Sequence, residues 1–435
     1  MISRKMNYFL RIWRNRDLRG KILFTLFIIF VFRLAGSITV PGVDPRALSE
    51  VFGAGGALSI FSALTGGSME NFSIIMMGLS PYINASIIIQ LLTVAIPALE
   101  RISKETDGRR KLNSITRWLT LPLAFLQSYG MIILLSQSTM GMEGTFLNPQ
   151  NFAEVFPAMI TISAGTIFLV WLGELISEKG IGNGISILIF AGIVAQMPSV
   201  FGNLIVGASL GETSKVPAFL IFAAVTIGLL FAVVFCTEGA RTIPLNQTSR
   251  NARGSRSELP IRVLQAGMIP IIFAVSLITF PSVLLQFFQN SSNQFVQSFA
   301  SFWAAHFNSG APTAEYLILY FLLIVLFSYF YVSITFNPEN VAENLQKRGG
   351  FIPGVRPGRE TAEYLDKVSN RMNFWGGSFL GIVALVPLFF TMFTDLSSSD
   401  LIISGSGLII VVGVVLELIR QINASLATHD YDKLV

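Results

Sequence analysis

The chain has little charge, one cysteine and two histidines. Only 13% of its 435 residues are charged, about half of the share in a typical soluble domain. Cys236 alone cannot form an intramolecular disulfide, and His306 and His429 are far apart with no cysteine cluster beside them, so neither a disulfide scaffold nor a metal site is expected. The hydrophobic residues, 52% of the chain, occur in long blocks. This pattern excludes an ordinary soluble enzyme and predicts a protein of the lipid bilayer.

Long charge-free stretches predict an all-α polytopic membrane protein with ten spans. A helix needs about 20 mostly apolar residues to cross the hydrocarbon core. Dividing the charge-free stretches at turn residues predicts spans at 22–40, 72–96, 118–138, 154–175, 183–205, 217–236, 263–286, 314–336, 373–394 and 401–419. The segment 289–313 is rich in Asn, Gln and Ser, and we expect it to be an exposed loop.

The basic residues predict the orientation of these spans. With the N-terminus inside, all but three of the 30 Lys and Arg residues fall in inside segments, the exceptions being Arg33, Arg46 and Lys215. Both termini are therefore predicted to be cytoplasmic. We expect a cytoplasmic segment 1–21, retained because it has no small-residue cleavage site. The rest of the chain is predicted to divide into a first half at 22–206, a second half at 207–419 and a cytoplasmic tail at 420–435. The second half contains the cytoplasmic loops 237–262 and 337–372.

The predicted spans contain almost no ionisable side chains. Arg33 lies toward the outer end of the first span, and Glu174 and Glu417 lie near inner ends. Ion-coupled transporters usually place carboxylates or histidines near the midplane, so this distribution weighs against a coupled small-solute transporter. The sequence also has no Gly-x-x-x-x-Gly-Lys-Ser/Thr loop and no catalytic constellation. We therefore expect neither enzymatic activity nor a cofactor.

Two features are not explained by simple spans. The apolar patch 57–65 is too short to cross a bilayer and is followed by Gly66-Gly67-Ser68, which indicates either a re-entrant segment or an interfacial helix. The second and seventh spans are interrupted alike, by Gly78-Leu-Ser-Pro81 and Gly267-Met-Ile-Pro270. Such matching breaks favour an inverted repeat with a functional site between the halves, although proline is also simply common in membrane helices.

Six motifs occur in order along the chain. They are Pro81-Tyr-Ile-Asn-Ala-Ser-Ile-Ile-Ile-Gln-Leu91, Phe32-Arg-Leu-Ala-Gly36 with Val40-Pro-Gly42, and the segments 178–186, 266–273, 336–338 and 350–358. Together they resemble the SecY/Sec61-alpha family, whose members are central channel subunits of protein translocases. The chain departs from the family at Thr39, where a proline is usual, and at Asn84, where a small hydroxyl residue is usual. Its loop 237–262 is also shorter than the family's.

The resemblance implies a protein-conducting channel of the bacterial plasma membrane, driven by a partner. Ten spans in two inverted five-helix halves would surround an hourglass pore and release membrane segments through a lateral gate between spans two and seven. The resemblance assigns an apolar ring at the waist to Ile83, Ile87, Ile185, Ile189, Ile272 and Ile410. It assigns a re-entrant plug to residues 57–70, with Leu58, Ile60, Phe61, Leu64, Gly66 and Gly67.

Polar and basic candidates complete the expected sites. Asn84, Ser86 and Gln90 are gate candidates, or equally ordinary interhelical hydrogen-bonding groups. The resemblance implies partner docking at Arg241, Arg250, Arg253, Arg256 and Arg356, although the positive-inside bias alone would place basic residues there. The implied partners are the small membrane subunits SecE and SecG, the motor ATPase SecA and the ribosome. A secondary transporter with inverted five-helix repeats, and an insertase or scaffold without a pore, remain as alternatives.

Overall fold

The structure is a computed structural model that describes residues 12–41, 72–105, 107–138, 147, 151–209, 215–247, 257–286, 294–307, 313–393 and 405–432. These residues are mostly helical. The helices are α1 Arg16–Gly36, α2 Ser80–Ala95, α3 Pro97–Lys104, α4 Gly108–Ser138, α5 Phe152–Lys179, α6 Gly184–Ser209, α7 Lys215–Glu238, α8 Ile269–Gln286, α9 Gln294–His306, α10 Ala314–Thr335, α11 Pro338–Lys347, α12 Arg359–Phe393 and α13 Gly405–Asp432. The strands are β1 Ala240–Gln247, β2 Ser257–Arg262 and β3 Gly350–Phe351.

A helix occupies each of the ten predicted spans, in the order α1, α2, α4, α5, α6, α7, α8, α10, α12 and α13. Within the described ranges, six helices are long and apolar enough to cross a membrane. The count rises to seven if α2 and α3, bent by 107° at Ile96 and Pro97, form one span. The exact number of ten spans therefore stays a prediction.

The second and seventh spans begin later than predicted. Residues 72–79 form turns, and α2 starts only at Ser80; in the seventh span α8 starts at Ile269. The reason is local: Gly78 and Gly267 have φ of 56° and 60°, in the left-handed region that glycine adopts without a steric penalty. A helix then starts two residues later in both places, with a proline in its first turn, where the missing N–H costs nothing.

The non-helical segment 72–79 is buried inside the protein rather than exposed at its surface. Phe72, Ser73 and Met76 have no solvent-exposed area. The segment pairs with the chain that follows α1: Val40 N donates to Phe72 O at 2.9 Å, and Ile74 N donates to Ile38 O at 3.0 Å. Irregular backbone is tolerated within a membrane protein only where such partners satisfy its polar groups.

The two groups of five helices pack in the same order. In the first group α2 contacts α4, α4 contacts α5, α5 contacts α6, and α1 contacts both α5 and α6. In the second group α8 contacts α10, α10 contacts α12, α12 contacts α13, and α7 contacts both α12 and α13. The groups meet where α8 contacts α2 and α4, and where α13 contacts α6. The largest apolar core includes residues of both groups and lies between them.

A small three-stranded sheet accompanies the helices, outside the predicted spans. The strands are antiparallel in the order β2-β1-β3. Strand β3 pairs with β1 through Asn246–Phe351 and Gln247–Gly350, so the sheet joins the loops 237–262 and 337–372. One side of the sheet is buried and packs against α12 in a separate apolar cluster. Its side chains there are Ile243, Leu245 and Ile261.

The segment 289–313, predicted as an exposed loop, contains a helix. Residues Gln294–His306 form the helix α9. The Gln and Ser residues lower the average hydropathy of this segment and hid the regular spacing of its aromatic side chains.

Candidate functional site

The six isoleucines assigned to the ring lie in one apolar cluster. Ile87 and Ile410 are among its buried members, and Ile83, Ile185, Ile189 and Ile272 are partly buried and packed against it. They come from four helices, α2, α6, α8 and α13. The cluster is large and contains many other side chains. The geometry therefore brings the six residues into the same core, and their role as a ring stays a prediction.

A pair of close glycines positions one of these isoleucines. An ideal Cβ at Gly184, the first residue of α6, would lie 1.8 Å from the Gly173 carbonyl oxygen of α5. The two helices thus approach at backbone contact, and a Cβ at Gly173 would in turn lie 3.2 Å from Cγ1 of Ile185. Ile185 is held against the α5 backbone by this crossing.

The gate candidates divide into two kinds. Gln90 Nε2 donates to Ser86 Oγ at 3.0 Å along α2. At 100° per residue, these two polar side chains share a helix face with Ile83 and Ile87. Asn84 points elsewhere on the helix and is buried. The Ser86–Gln90 hydrogen bond lies within one helix and does not cross to a neighbouring helix.

Helices α2 and α8, the predicted gate helices, contact one another directly. Both start two residues after a left-handed glycine, Gly78 or Gly267. Met268, the residue before α8, packs against Gly413 of α13, where an added Cβ would lie 3.4 Å from the Met268 Cε. The start of α8 is therefore in contact with α13, the helix that carries Ile410.

Sequence reasoning missed several buried amides near the helix interfaces. Gln127 on α4 is buried, and its Oε1 has no hydrogen-bond partner among the described residues. Ser369 Oγ donates to Gln265 Oε1 at 2.8 Å, and Ser328 Oγ donates to Asn373 Oδ1 at 2.7 Å. The available signal was a polar amide inside or beside a charge-free stretch, but composition could not tell which of these become buried.

Ionisable side chains on the spanning helices form ion pairs between neighbouring helices, and the carboxylate of each pair lies near a helix end. Arg117 on α4 lies 3.1 Å from Glu174 on α5, and Arg420 on α13 lies 2.6 Å from Glu238 at the end of α7. Glu174 is thus found near a helix end, as predicted. In the described part of the chain, no group of three or more His, Cys, Asp or Glu side chains could hold a metal ion.

The docking candidates are described only in part. Arg241 is exposed on β1, and Arg356 is exposed in the turn between Gly354 and Gly358, which have φ of 82° and 103°. Thr361 Oγ1 donates to the Arg356 carbonyl at 2.8 Å, so the turn is fixed without the guanidinium group. Arg250, Arg253 and Arg256 lie outside the described residues, as does the predicted plug 57–70.

Beside this basic turn lies an acidic cleft between α11 and α12. Its lining includes Glu339, Glu343, Glu363 and Asp366 together with Arg359. Arg359 pairs with Glu363 at 3.0 Å. Lys347 lies 2.6 Å from Glu343 and lowers the pKa of that carboxyl through a hydrogen bond and its charge. The loop surface therefore carries both signs of charge rather than a uniform basic patch.

Solved structures define the class of this fold. The chain is similar to a structure described as that of a protein conducting channel, with a TM-score of 0.69 and 18% identity, covering 94% of this chain and 93% of that one. It is also similar to Sec61 in the canine ribosome-channel complex from the endoplasmic reticulum, with a TM-score of 0.65, 18% identity and the same two coverages. The fold is that of the SecY/Sec61 channels, which confirms the predicted fold class.

Sequence comparison gives the family. The SecY family model matches residues 73–419. Protein translocase subunit SecY 1 of Lactobacillus kefiranofaciens subsp. kefiranofaciens is 40% identical over 433 residues, which are 96% of this chain and 97% of that protein. The chain belongs to the SecY family and is a multi-pass membrane protein.

Proposed function

We propose that this chain is the channel-forming subunit of a protein translocase, which passes unfolded secretory polypeptides across the membrane. Membership of the SecY family and the SecY/Sec61 channel fold support this function. The observation that carries it is the convergence of six isoleucines from both groups of helices in one apolar cluster. A secondary transporter is not favoured, because the relatives are translocase subunits and the spans have no predicted mid-membrane carboxylates.

The proposed ring resolves a physical conflict between passing a chain and holding back ions. A polypeptide brings side chains of every kind, so a charged constriction would retain some segments and attract ions. An apolar constriction does neither and closes by losing its water. Ile83, Ile87, Ile185, Ile189, Ile272 and Ile410 are proposed to form this constriction at the waist of an hourglass pore.

The proposed lateral gate lies between α2 and α8. A gate has to separate at small cost, and a contact between two helices that both start at irregular backbone suits this requirement. Membrane segments and signal sequences would pass between them into lipid. Ser86 and Gln90 lie on the α2 face that also carries two ring residues, so they are proposed to line the gate rather than to join distant helices.

A plug at residues 57–70 is proposed to seal the outer side of the ring in the closed channel. Its short apolar run and its Gly66-Gly67 pair suit an element that moves away when the channel opens.

The sheet that joins the loops 237–262 and 337–372 is proposed as the cytoplasmic docking surface, with Arg241 and Arg356 in contact with partners. Sec61, a structural neighbour, is described in a complex with the ribosome. SecA and the ribosome are proposed as the driving partners here, with SecE and SecG as small membrane subunits. The basic residues also support a topology with both termini cytoplasmic in a bacterial inner membrane.

Single-channel recording tests this function. A variant lacking residues 59–67 and the full chain are each reconstituted into planar bilayers. The pore hypothesis predicts large, long-lived ion conductance for the deletion variant and a mostly closed channel for the full chain. A folded deletion variant with no added conductance would contradict the plug. The full chain should conduct ions when a signal sequence is added, and the absence of that conductance would contradict the channel itself.

A further inference from the structure

The helix α9 divides its surface among three environments. At 100° per residue, Phe295, Phe299 and Phe302 share one face, and they are 79%, 48% and 51% exposed. Ala300, which is almost fully buried, and the partly buried Trp303 point toward the protein. The polar side chains form a third face, and all of them are exposed: Gln294, Gln297, Ser298 and Ser301.

The aromatic face needs an apolar neighbour. Three exposed phenylalanines on a helix of 13 residues form an apolar patch of the kind that marks an interaction site. The helix contains no Asp, Glu, Lys or Arg. A nucleic acid or a strongly charged protein surface is thus a poor fit to this helix, and an uncharged apolar phase is a good one.

The C-terminal end of α9 is held at the start of a membrane-spanning helix. Thr313 Oγ1 donates to the His306 carbonyl oxygen at the end of α9, and the same Oγ1 caps α10 by accepting from Tyr316 N. About one turn into α10, the exposed apolar side chains Ile318 and Leu322 begin the outward face of this helix. The C-terminal end of α9 therefore lies where the exposed apolar surface of α10 begins.

We propose that α9 is an interfacial helix that rests in the lipid surface at the N-terminal end of α10. Phe295, Phe299 and Phe302 enter the boundary between headgroups and acyl chains, and the Gln and Ser face remains in water. Aromatic residues are enriched at this depth because their rings suit the interface, and a helix with one aromatic face and one polar face lies parallel to the membrane there. The helix also contacts α8, so it connects a proposed gate helix to the lipid surface.

Spin labels placed on two faces of α9 test this proposal. The single native cysteine is removed by Cys236→Ser, and a nitroxide is attached at Phe299→Cys or, as the matched control, at Ser301→Cys. The full chain is reconstituted into phosphatidylcholine bilayers. The collision rate of the nitroxide with oxygen, which enters the bilayer, is divided by its collision rate with a water-soluble nickel chelate. We expect an oxygen-to-nickel ratio roughly tenfold higher at position 299 than at 301.

Two results would overturn the proposal. Equal ratios at 299 and 301 would mean that both faces lie in the same environment, which contradicts a helix with one face in lipid and one in water. Protection of position 299 from both reagents, with 301 still accessible, would mean that protein covers this face. If Phe299→Cys disturbs folding, Phe302→Cys on the same face gives the same test. The measurement does not depend on channel activity and rests only on α10 crossing the membrane.

Discussion

Gly165 on α5 passes so close to Ile74 that it has no room for a side chain. An ideal Cβ at Gly165 would lie 1.9 Å from the Ile74 carbonyl oxygen. Ile74 belongs to the buried non-helical segment 72–79, which leads into α2. The segment is therefore fixed from two sides, by the chain after α1 and by the backbone of α5. This contact helps to hold the segment that precedes the proposed gate helix.

Gly165→Ala is expected to destabilise the protein. The added methyl group cannot fit without moving the α5 backbone or the segment 72–79, and overpacking of this kind typically costs about 1–3 kcal/mol. Gly228→Ala on α7 is the matched control, since no atom lies within 4 Å of its added Cβ. Thermal unfolding in detergent micelles should show a lower midpoint for Gly165→Ala only. Equal midpoints for the two variants would show that the contact can relax freely.

Gly267→Ala isolates backbone strain from crowding. No atom lies within 4 Å of an added Cβ at Gly267, but its φ is 60°. Holding an L-residue there costs roughly 1–2 kcal/mol, and asparagine visits this region more readily than alanine. We expect Gly267→Asn to unfold at a higher temperature than Gly267→Ala, with the natural protein above both. If the asparagine variant were the less stable of the two, strain would not be the reason for this glycine.

Truncation of the proposed ring should make the closed channel leak. Ile87→Ala or Ile410→Ala removes apolar volume from the constriction that excludes water, so ion-conducting openings should become more frequent. Ile87→Val and Ile410→Val remove less volume and should have smaller effects. Ile318→Ala, on the exposed side of α10, is the control. Planar bilayer recordings measure this order, and a leak as large in the control as in the ring variants would remove the ring assignment.

Cysteine pairs test the gate between α2 and α8. In the Cys236→Ser background, Gln90→Cys is combined in turn with cysteine at Ile271, Val275 or Ile278. Because the two helices are in contact, at least one pair should crosslink in the resting protein and block release of a membrane segment into lipid until it is reduced. Gln90→Cys with Ile318→Cys is the control and should not react. Failure of every α8 position to crosslink would contradict the gate.

Arg356→Glu tests the docking surface. The side chain is exposed and its turn is held by the Thr361 hydroxyl and by left-handed glycines, so the variant should fold with unchanged thermal stability. Reversing the charge should slow SecA-driven translocation into proteoliposomes by about tenfold, which corresponds to ~1.4 kcal/mol. Lys367→Glu makes the same change on exposed α12 and should have a small effect. A wild-type rate for Arg356→Glu would end its role in docking.

Most helices could be predicted because hydrophobic length is a property of one segment. The breaks at Gly78 and Gly267 were recognised, but whether each helix bends or begins there depends on the partners of the chain before it. The helix α9 was missed because its Gln and Ser residues lower the hydropathy average, although its phenylalanines recur at helical spacing. The pairing of β1 with β3 was missed because it joins loops that are far apart in the sequence.

The amino-acid sequence alone was enough for the class of protein, the side of the membrane on which its basic loops are expected, and the family motifs, since charge and hydropathy act within each segment. Only the tertiary structure shows that isoleucines of α2, α6, α8 and α13 share one core. It also shows that Gly165 contacts Ile74 and that two loops form one sheet. These relationships depend on close contact between distant segments, and local composition carries no information about such distances.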